Sequence, residues 1–141
     1  MIAIDTNVLL RYLLVDDMTQ TAKAEKLING KKSVLITDVV LVETIWTLTG
    51  KKYQLKKPDL VVVLQALFKE KNIQFENGQV VWMALNDYRQ SKPIGGKTAG
   101  FADALIVNKA SFLAGNQSVE FGGFYTFDIA ALQLPGTKAP P

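Results

Sequence analysis

The sequence contains no cysteine and no histidine among its 141 residues. The lack of cysteine excludes disulfide bonds, thiolate zinc sites and cysteine nucleophiles. The lack of histidine excludes catalysis of the Ser-His-Asp and Cys-His types. Any bound metal ion must therefore be held by oxygen atoms, which favours Mg²⁺ or Mn²⁺ over Zn²⁺. A general base would have to be a carboxylate, a lysine, a tyrosine or a metal-bound water.

Long hydrophobic runs are also missing. No segment approaches the ~18 uninterrupted apolar residues of a membrane span, and Met1-Ile2-Ala3-Ile4-Asp5 lacks the basic start of a signal peptide. We therefore expect a cytoplasmic protein without a membrane span. The length fits one domain of ~100–150 residues, and 48% hydrophobic residues supply a core. We predict a single domain over residues 1–135 and a flexible C-terminal tail over residues 136–141.

The charge balance is slightly basic, with 16 lysine and arginine residues against 13 acidic ones and a net charge of +3. This balance is a mild indication of a polyanionic partner. It would become stronger if several acids were sequestered in a metal site. The simpler interpretation of pairs such as Lys31-Lys32 and Lys51-Lys52 is that they are solubilising surface lysines.

Short apolar runs alternate with segments of helical periodicity along the whole chain. The alternation predicts an α/β protein with a mostly parallel sheet and helices on both faces. Trp46 and Trp82 occur among apolar residues at helical spacing, which indicates core or interface positions. The runs at 2–4, 34–36, 73–75 and 123–126 predict strands, and those at 8–14, 19–27, 39–49, 58–71, 80–89 and 101–113 predict helices.

Two aspartates follow predicted strands. Asp5 comes directly after the first strand, and Asp128 comes two residues after Thr126 at the end of a later one. In open parallel sheets, ligands bind in the crevice outside the carboxyl ends of the strands. The alternative interpretations are a helix N-cap for Asp5 and an ordinary turn aspartate for Asp128.

Two further acids lie on predicted helices. Glu43 has Val39, Val40 and Trp46 about one turn away, so we expect it on or next to the buried stripe. Asp103 is similarly placed among apolar neighbours. A buried ionised carboxylate must be paired, protonated or bound to a metal, and neither helix offers a basic residue one turn away. Pairing with a distant basic residue stays an alternative, as does helix capping by Asp103, but one Mg²⁺ site would explain all four acids together.

Four segments resemble the motifs of PIN-domain nucleases, and in particular the VapC-type toxins of bacterial toxin–antitoxin pairs. The first is Asp5-Thr6-Asn7-Val8-Leu9-Leu10-Arg11-Tyr12-Leu13, and the second is Val39-Val40-Leu41-Val42-Glu43. The third is Phe101-Ala102-Asp103-Ala104-Leu105-Ile106, and the fourth is Tyr125-Thr126-Phe127-Asp128. One such motif alone would be weak, whereas four in the right order along the chain are a specific signal.

This resemblance implies a three-layer α/β/α fold with a central, mostly parallel sheet of four to five strands. It also implies an Mg²⁺- or Mn²⁺-dependent endoribonuclease acting on RNA, a homodimer and a small antitoxin protein as partner. By motif position, Asp5, Glu43, Asp103 and Asp128 become metal ligands and catalytic residues. Asn7 and Thr126 become polar residues that orient carboxylates or metal-bound water.

One position departs from the motif. Many relatives have a further acid three residues before the third-motif aspartate, where this sequence has Gly100. A second metal ion is therefore expected to bind weakly or only with substrate.

Three other functions compete with this one. A catalytically silent PIN-like module that binds RNA or protein would keep the same acids. A phosphoacceptor signalling domain would need a lysine after a late strand, and none is near Asp128. A phosphatase of the haloacid-dehalogenase type would need an aspartate where Asn7 stands.

Overall fold

The central strand of the first part of the chain is flanked by a parallel partner on each side. In the computed structural model, which describes residues 1–141, Val34 pairs with both Ile2 and Ile73. Val34 and Ile36 are completely buried, as expected for the apolar middle strand of a parallel sheet. The strands, in the order in which they lie in the sheet, are β1 (Ile2–Ala3), β2 (Val34–Ile36) and β3 (Ile73–Phe75).

Helices connect these strands, because parallel neighbours cannot be joined by a tight turn. Two helices stand between β1 and β2, and two more between β2 and β3. Leu9, Leu41 and Leu64, each from a different helix, are fully buried and contribute to the core of this unit, Met1–Asn77. The helices are α1 (Thr6–Leu14), α2 (Met18–Ile28), α3 (Asp38–Thr49) and α4 (Lys57–Lys69).

Local hydrogen bonds determine where the first three helices begin. Asp5 caps α1 by accepting from the Val8 N–H, and Asp17 caps α2 by accepting from the Gln20 N–H. Thr37 caps α3, which begins one residue before the predicted start at residue 39. Such caps satisfy backbone donors that a helix N-terminus leaves unpaired.

The second unit, Gly78–Pro141, is built on two packed helices, α5 (Gly78–Gln90) and α6 (Phe101–Asn116). The rings of Tyr88 and Phe101 meet edge to face with their centroids 6.0 Å apart. The Asn108 amide, which is buried, donates to Asp87 Oδ2 at 2.8 Å. Apolar packing and one satisfied polar contact thus hold the two helices together.

The end of the chain forms a second small sheet in place of an entirely loose tail. Strand β4 (Phe124–Tyr125) pairs in parallel with β5 (Thr137–Lys138), and a short 3-10 helix (Ala131–Gln133) lies between them. Two residues predicted to belong to a flexible tail, Thr137 and Lys138, are therefore hydrogen-bonded in a strand. The five strands divide into a three-stranded and a two-stranded sheet.

The predicted α/β class is confirmed, and the strands at 34–36 and 73–75 have the predicted bounds. The two tryptophans do not belong to the core, because Trp46 is 77% and Trp82 47% exposed. None of the helices is long and apolar enough to cross a membrane. The single domain over residues 1–135 stays a prediction.

Candidate active site

Asp5 stands between strand β1 and helix α1, as the sequence predicted. Its backbone is extended, and its Oδ1 accepts from the Val8 N–H at 2.9 Å. The capping role considered as an alternative is therefore real, but it uses one oxygen. Oδ2 accepts no hydrogen bond, and both Asp5 and the nearby Asn7 are exposed. A carboxylate has about four lone-pair sites, so capping leaves room for a metal ion or water.

Thr6 connects the first two acidic motifs. Its side chain is nearly buried, and its hydroxyl donates to Glu43 Oε2 at 3.0 Å. Helices α1 and α3, which carry the two residues, pack against each other. This hydrogen bond fixes one oxygen of Glu43 beside the helix start that Asp5 caps. Sequence reasoning missed Thr6, and the only signal for it was its position immediately after Asp5.

Glu43 is exposed, so the expectation that it lies on or next to the buried stripe is wrong. The buried residues of α3 are Leu41, Thr44, Ile45 and Leu48. Successive residues on a helix turn by about 100°, which puts Glu43 outside this apolar stripe, on the side of the exposed Val39 and Trp46. The cost of burying a charge therefore does not argue for metal binding by Glu43, and its contact with Thr6 becomes the relevant observation.

Asp103 lies in the first turn of α6 and is half-buried. Its Oδ2 accepts from the Gly100 N–H at 2.9 Å. Gly100 has no side chain with which to cap the helix, so Asp103 reaches back to satisfy this donor. A negative charge in the first turn is also stabilised by the helix dipole. As with Asp5, the second carboxylate oxygen accepts no hydrogen bond.

Asp128 adopts the turn role that the sequence left open. Its Oδ1 accepts from the N–H groups of Ala130 and Ala131 at 2.9 and 3.3 Å, and its own N–H donates to Thr126 Oγ1 at 3.0 Å. This is a side-chain-stabilised turn that leads into the 3-10 helix. Thr126 orients the backbone of Asp128, and the carboxylate itself is exposed with Oδ2 accepting no hydrogen bond.

Carboxylate oxygens suit a hard cation, but the four acidic side chains do not form a preformed metal site. All four are carboxylates with one oxygen engaged in the fold, and oxygen ligands are those that Mg²⁺ and Mn²⁺ prefer. No group of three or more acidic side chains is arranged to hold a metal ion. Mg²⁺ usually keeps several waters and binds through one or two carboxylates together with substrate phosphates. The donor set therefore fits such an ion without a complete protein cage.

The fold and site define a class of protein, namely a parallel α/β protein that carries carboxylates at its candidate site. One carboxylate, Asp5, caps the helix after the first strand, and Thr6 next to it contacts Glu43 on another helix. The chain matches the PIN domain family over residues 2–116, and it belongs to that family. Family membership indicates a nuclease-type function, RNA binding and the use of divalent metal ions. Asp5, Asn7, Glu43 and Asp103 lie inside the matched region, whereas Thr126 and Asp128 lie beyond it. No curated protein matches the chain.

Proposed function

We propose that this PIN-domain protein is a metal-dependent endoribonuclease that hydrolyses RNA phosphodiester bonds with Mg²⁺ or Mn²⁺. The observation that carries the proposal is the hydrogen bond from Thr6 to Glu43. It ties the acid of the second motif to the residue next to Asp5, within the region that matches the family. A purely structural glutamate on an exposed helix face would not need such a buried donor.

The sequence motifs assign the roles. Asp5 and Asp103 bind the cation most directly, and Asp128 holds a second, weaker ion or a water. Glu43 is fixed at Oε2 by Thr6 and uses Oε1 to bind and orient the attacking water, while Asn7 and Thr126 orient neighbouring groups. When bound, the cation lowers the pKa of water and neutralises charge that develops on the scissile phosphate.

A cleavage assay tests this function. The purified chain is incubated with RNA in Mg²⁺, in Mn²⁺ and in EDTA, and the cut sites are mapped. Cleavage in either metal that stops in EDTA is the expected result. An Asp5→Asn variant prepared in parallel excludes a contaminating ribonuclease, because a contaminant would cleave equally in both preparations. Metal-independent cleavage, or none with any RNA, would contradict the proposal.

A catalytically silent RNA- or protein-binding module is the second candidate. It is favoured by one observation, which is that no three acidic side chains are arranged around a common metal position. The same assay separates the two candidates. RNA that is bound with Mg²⁺ present and stays intact after long incubation would favour the silent module.

We further propose that the chain is the toxin of a VapC-type toxin–antitoxin pair and forms a homodimer. The support is the motif resemblance, together with large apolar side chains at the surface. On α3, Val39 is 74% and Trp46 77% exposed, and the two are one heptad apart on one face of the helix.

Growth arrest on expression, relieved by a small neighbouring gene product and absent in Asp5→Asn, tests the toxin role. Sedimentation of Trp46→Gln against the unchanged chain tests the dimer.

A further inference from the structure

A cleft of about 250 Å³ lies between helices α1 and α2, and Asp5 is one of the residues that line it. Its lining is mostly apolar and includes Val8, Ala24 and Leu27. Ala24 is buried in the floor of the cleft, whereas Leu27 is 44% exposed. The volume lies just below the ~300–1,000 Å³ of clefts for whole small-molecule ligands, so the cleft suits one flat group rather than a large ligand.

Arg11 forms part of the wall and is held in one orientation. Its Nε donates to Gln20 Oε1 at 2.8 Å, and one terminal nitrogen donates to Asp16 Oδ1 at 2.8 Å. The hydrogen bond and charge of Asp16 raise the pKa of Arg11, so the guanidinium stays charged. A guanidinium fixed in this way presents a flat face on which an aromatic ring can stack.

One lysine places further positive charge at the cleft. Lys23 lines it, is exposed, and makes no hydrogen bond or ion pair. Positively charged side chains beside an apolar slot in which a base can stack are usual components of a single-strand nucleic-acid site.

We propose that this α1–α2 cleft binds one base of a single-stranded RNA and that Lys23 contacts an adjoining phosphate. The base stacks against Arg11 and the apolar wall at Leu27, which places the next linkage of the strand beside Asp5. The inference rests on the proposed function, since it takes Asp5 as part of the cutting site.

The distribution of charge favours a base over the other groups that the cleft could hold. Asp5 in the lining repels a phosphate that is not accompanied by a cation, whereas a neutral base meets no such repulsion. An apolar side chain of a protein partner would use the slot at Leu27 but would gain nothing from the free ammonium of Lys23. A base with its phosphate uses both.

Anisotropy of dye-labelled single-stranded RNA oligonucleotides, measured in EDTA so that no metal-dependent cleavage occurs, tests the cleft. Leu27→Ser removes the apolar wall and Lys23→Gln removes the cation. Their matched controls are Leu113→Ser, an exposed leucine of α6, and Lys26→Gln, an exposed lysine of α2 that does not line the cleft. Each oligonucleotide is also prepared in an abasic form.

We expect Leu27→Ser to bind intact RNA at least about fivefold more weakly, in line with the loss of one stacked base, and to bind the abasic form like the unchanged chain. We expect Lys23→Gln to weaken the binding of every sequence alike and to reduce the salt dependence by about one phosphate contact. Both control variants should bind within about twofold of the unchanged chain.

The inference is overturned if all four variants bind RNA alike, if intact and abasic RNA bind equally, or if the chain binds no RNA. It is also overturned if Leu27→Ser weakens the binding of a protein partner and leaves RNA binding unchanged. Its failure is distinct from failure of the proposed nuclease. If the variants bind RNA as expected but the chain shows no metal-dependent cleavage, only the proposed nuclease function is contradicted. If the chain cleaves RNA but all four variants bind it equally, only the proposed role of the cleft is contradicted.

Discussion

The Thr6 hydroxyl donates to Glu43 Oε2 at 3.0 Å, across 37 residues of sequence. Thr6 is the first residue of α1, and Glu43 lies in the middle of α3. The bond joins the acid of the second motif to the residue next to Asp5. Because the buried Thr6 hydroxyl holds Oε2, the direction of the other oxygen, Oε1, is also fixed. An exposed glutamate without such a donor would be free to rotate.

Replacing Thr6 with valine keeps the shape of the side chain and removes the donor. We expect RNA cleavage to fall about ten- to a hundredfold in kcat, because misplaced catalytic groups lose rate steeply, with little change in KM. The free energy of unfolding should fall by about 1 kcal/mol. Steady-state cleavage kinetics and urea unfolding measure the two effects.

Thr44→Val is the matched control for this change. Thr44 is a fully buried threonine of α3, and its hydroxyl donates to the Val40 carbonyl at 2.7 Å. Its loss should affect stability but not kcat. Thr6→Ser should restore cleavage. If Thr6→Val and Thr44→Val have equal kcat values, Thr6 does not position Glu43.

Asp5→Asn separates the capping role of Asp5 from its proposed metal role. Asparagine caps a helix as well as aspartate does, so the free energy of unfolding should change by less than about 0.5 kcal/mol. Cleavage should fall by more than about a hundredfold, because the charge that attracts the cation is gone. Asp17→Asn is the control, since Asp17 caps α2 in the same way through Gln20. Equal activity in the two variants would exclude Asp5 as a ligand.

Gly100→Asp should restore the acid that the third motif lacks. Gly100 has an extended backbone, with φ of −82°, and an added Cβ would meet Asp103 Oδ2 at 3.5 Å, which is ordinary contact. We expect about tenfold tighter Mg²⁺ binding, which at saturating metal would raise Tm by roughly 5 °C more than in the unchanged chain. Gly78→Asp, at the open start of α5, is the control. The idea fails if Mg²⁺ raises Tm equally in both variants.

Tyr12 gives the fold a pH dependence that is independent of catalysis. Burial, followed by its hydrogen bond to Glu70 at 2.7 Å, raises the pKa of Tyr12 to about 12. In the unfolded chain the pKa is about 10, so the folded state favours the neutral phenol. This stabilisation is complete below about pH 10 and disappears as the pH rises towards 12.

Comparison with Tyr12→Phe measures this contribution. At pH 8 the variant should be about 1 kcal/mol less stable, because it lacks the hydrogen bond to Glu70. The difference in unfolding free energy between the two proteins should shrink as the pH is raised from 10 to 12. A difference that stays constant over this range would show that the Tyr12 phenol has no raised pKa.

Features that depend on nearby residues were predicted well. The helix after Asp5 was predicted to begin at residue 8 and begins at Thr6, and the strand at 73–75 was predicted with its observed bounds. The position of Glu43 was predicted wrongly, because the prediction took its one-turn neighbours Val39 and Trp46 as part of the buried stripe, and both are exposed. The pairing of Thr137 with Phe124 was missed because two-residue strands carry almost no sequence pattern.

By itself the sequence determined the α/β class, the order of the helices and of the first four strands, the oxygen-only chemistry of any metal site and the motifs that contain Asp5, Glu43, Asp103 and Asp128. These depend on composition and on local backbone preferences, which act over a few residues. Only the tertiary structure decided that Thr6 donates to Glu43, that Arg11 is held along a cleft, and that Trp46 is exposed. Contacts between side chains on different helices depend on how the helices pack, and no spacing within one segment specifies that.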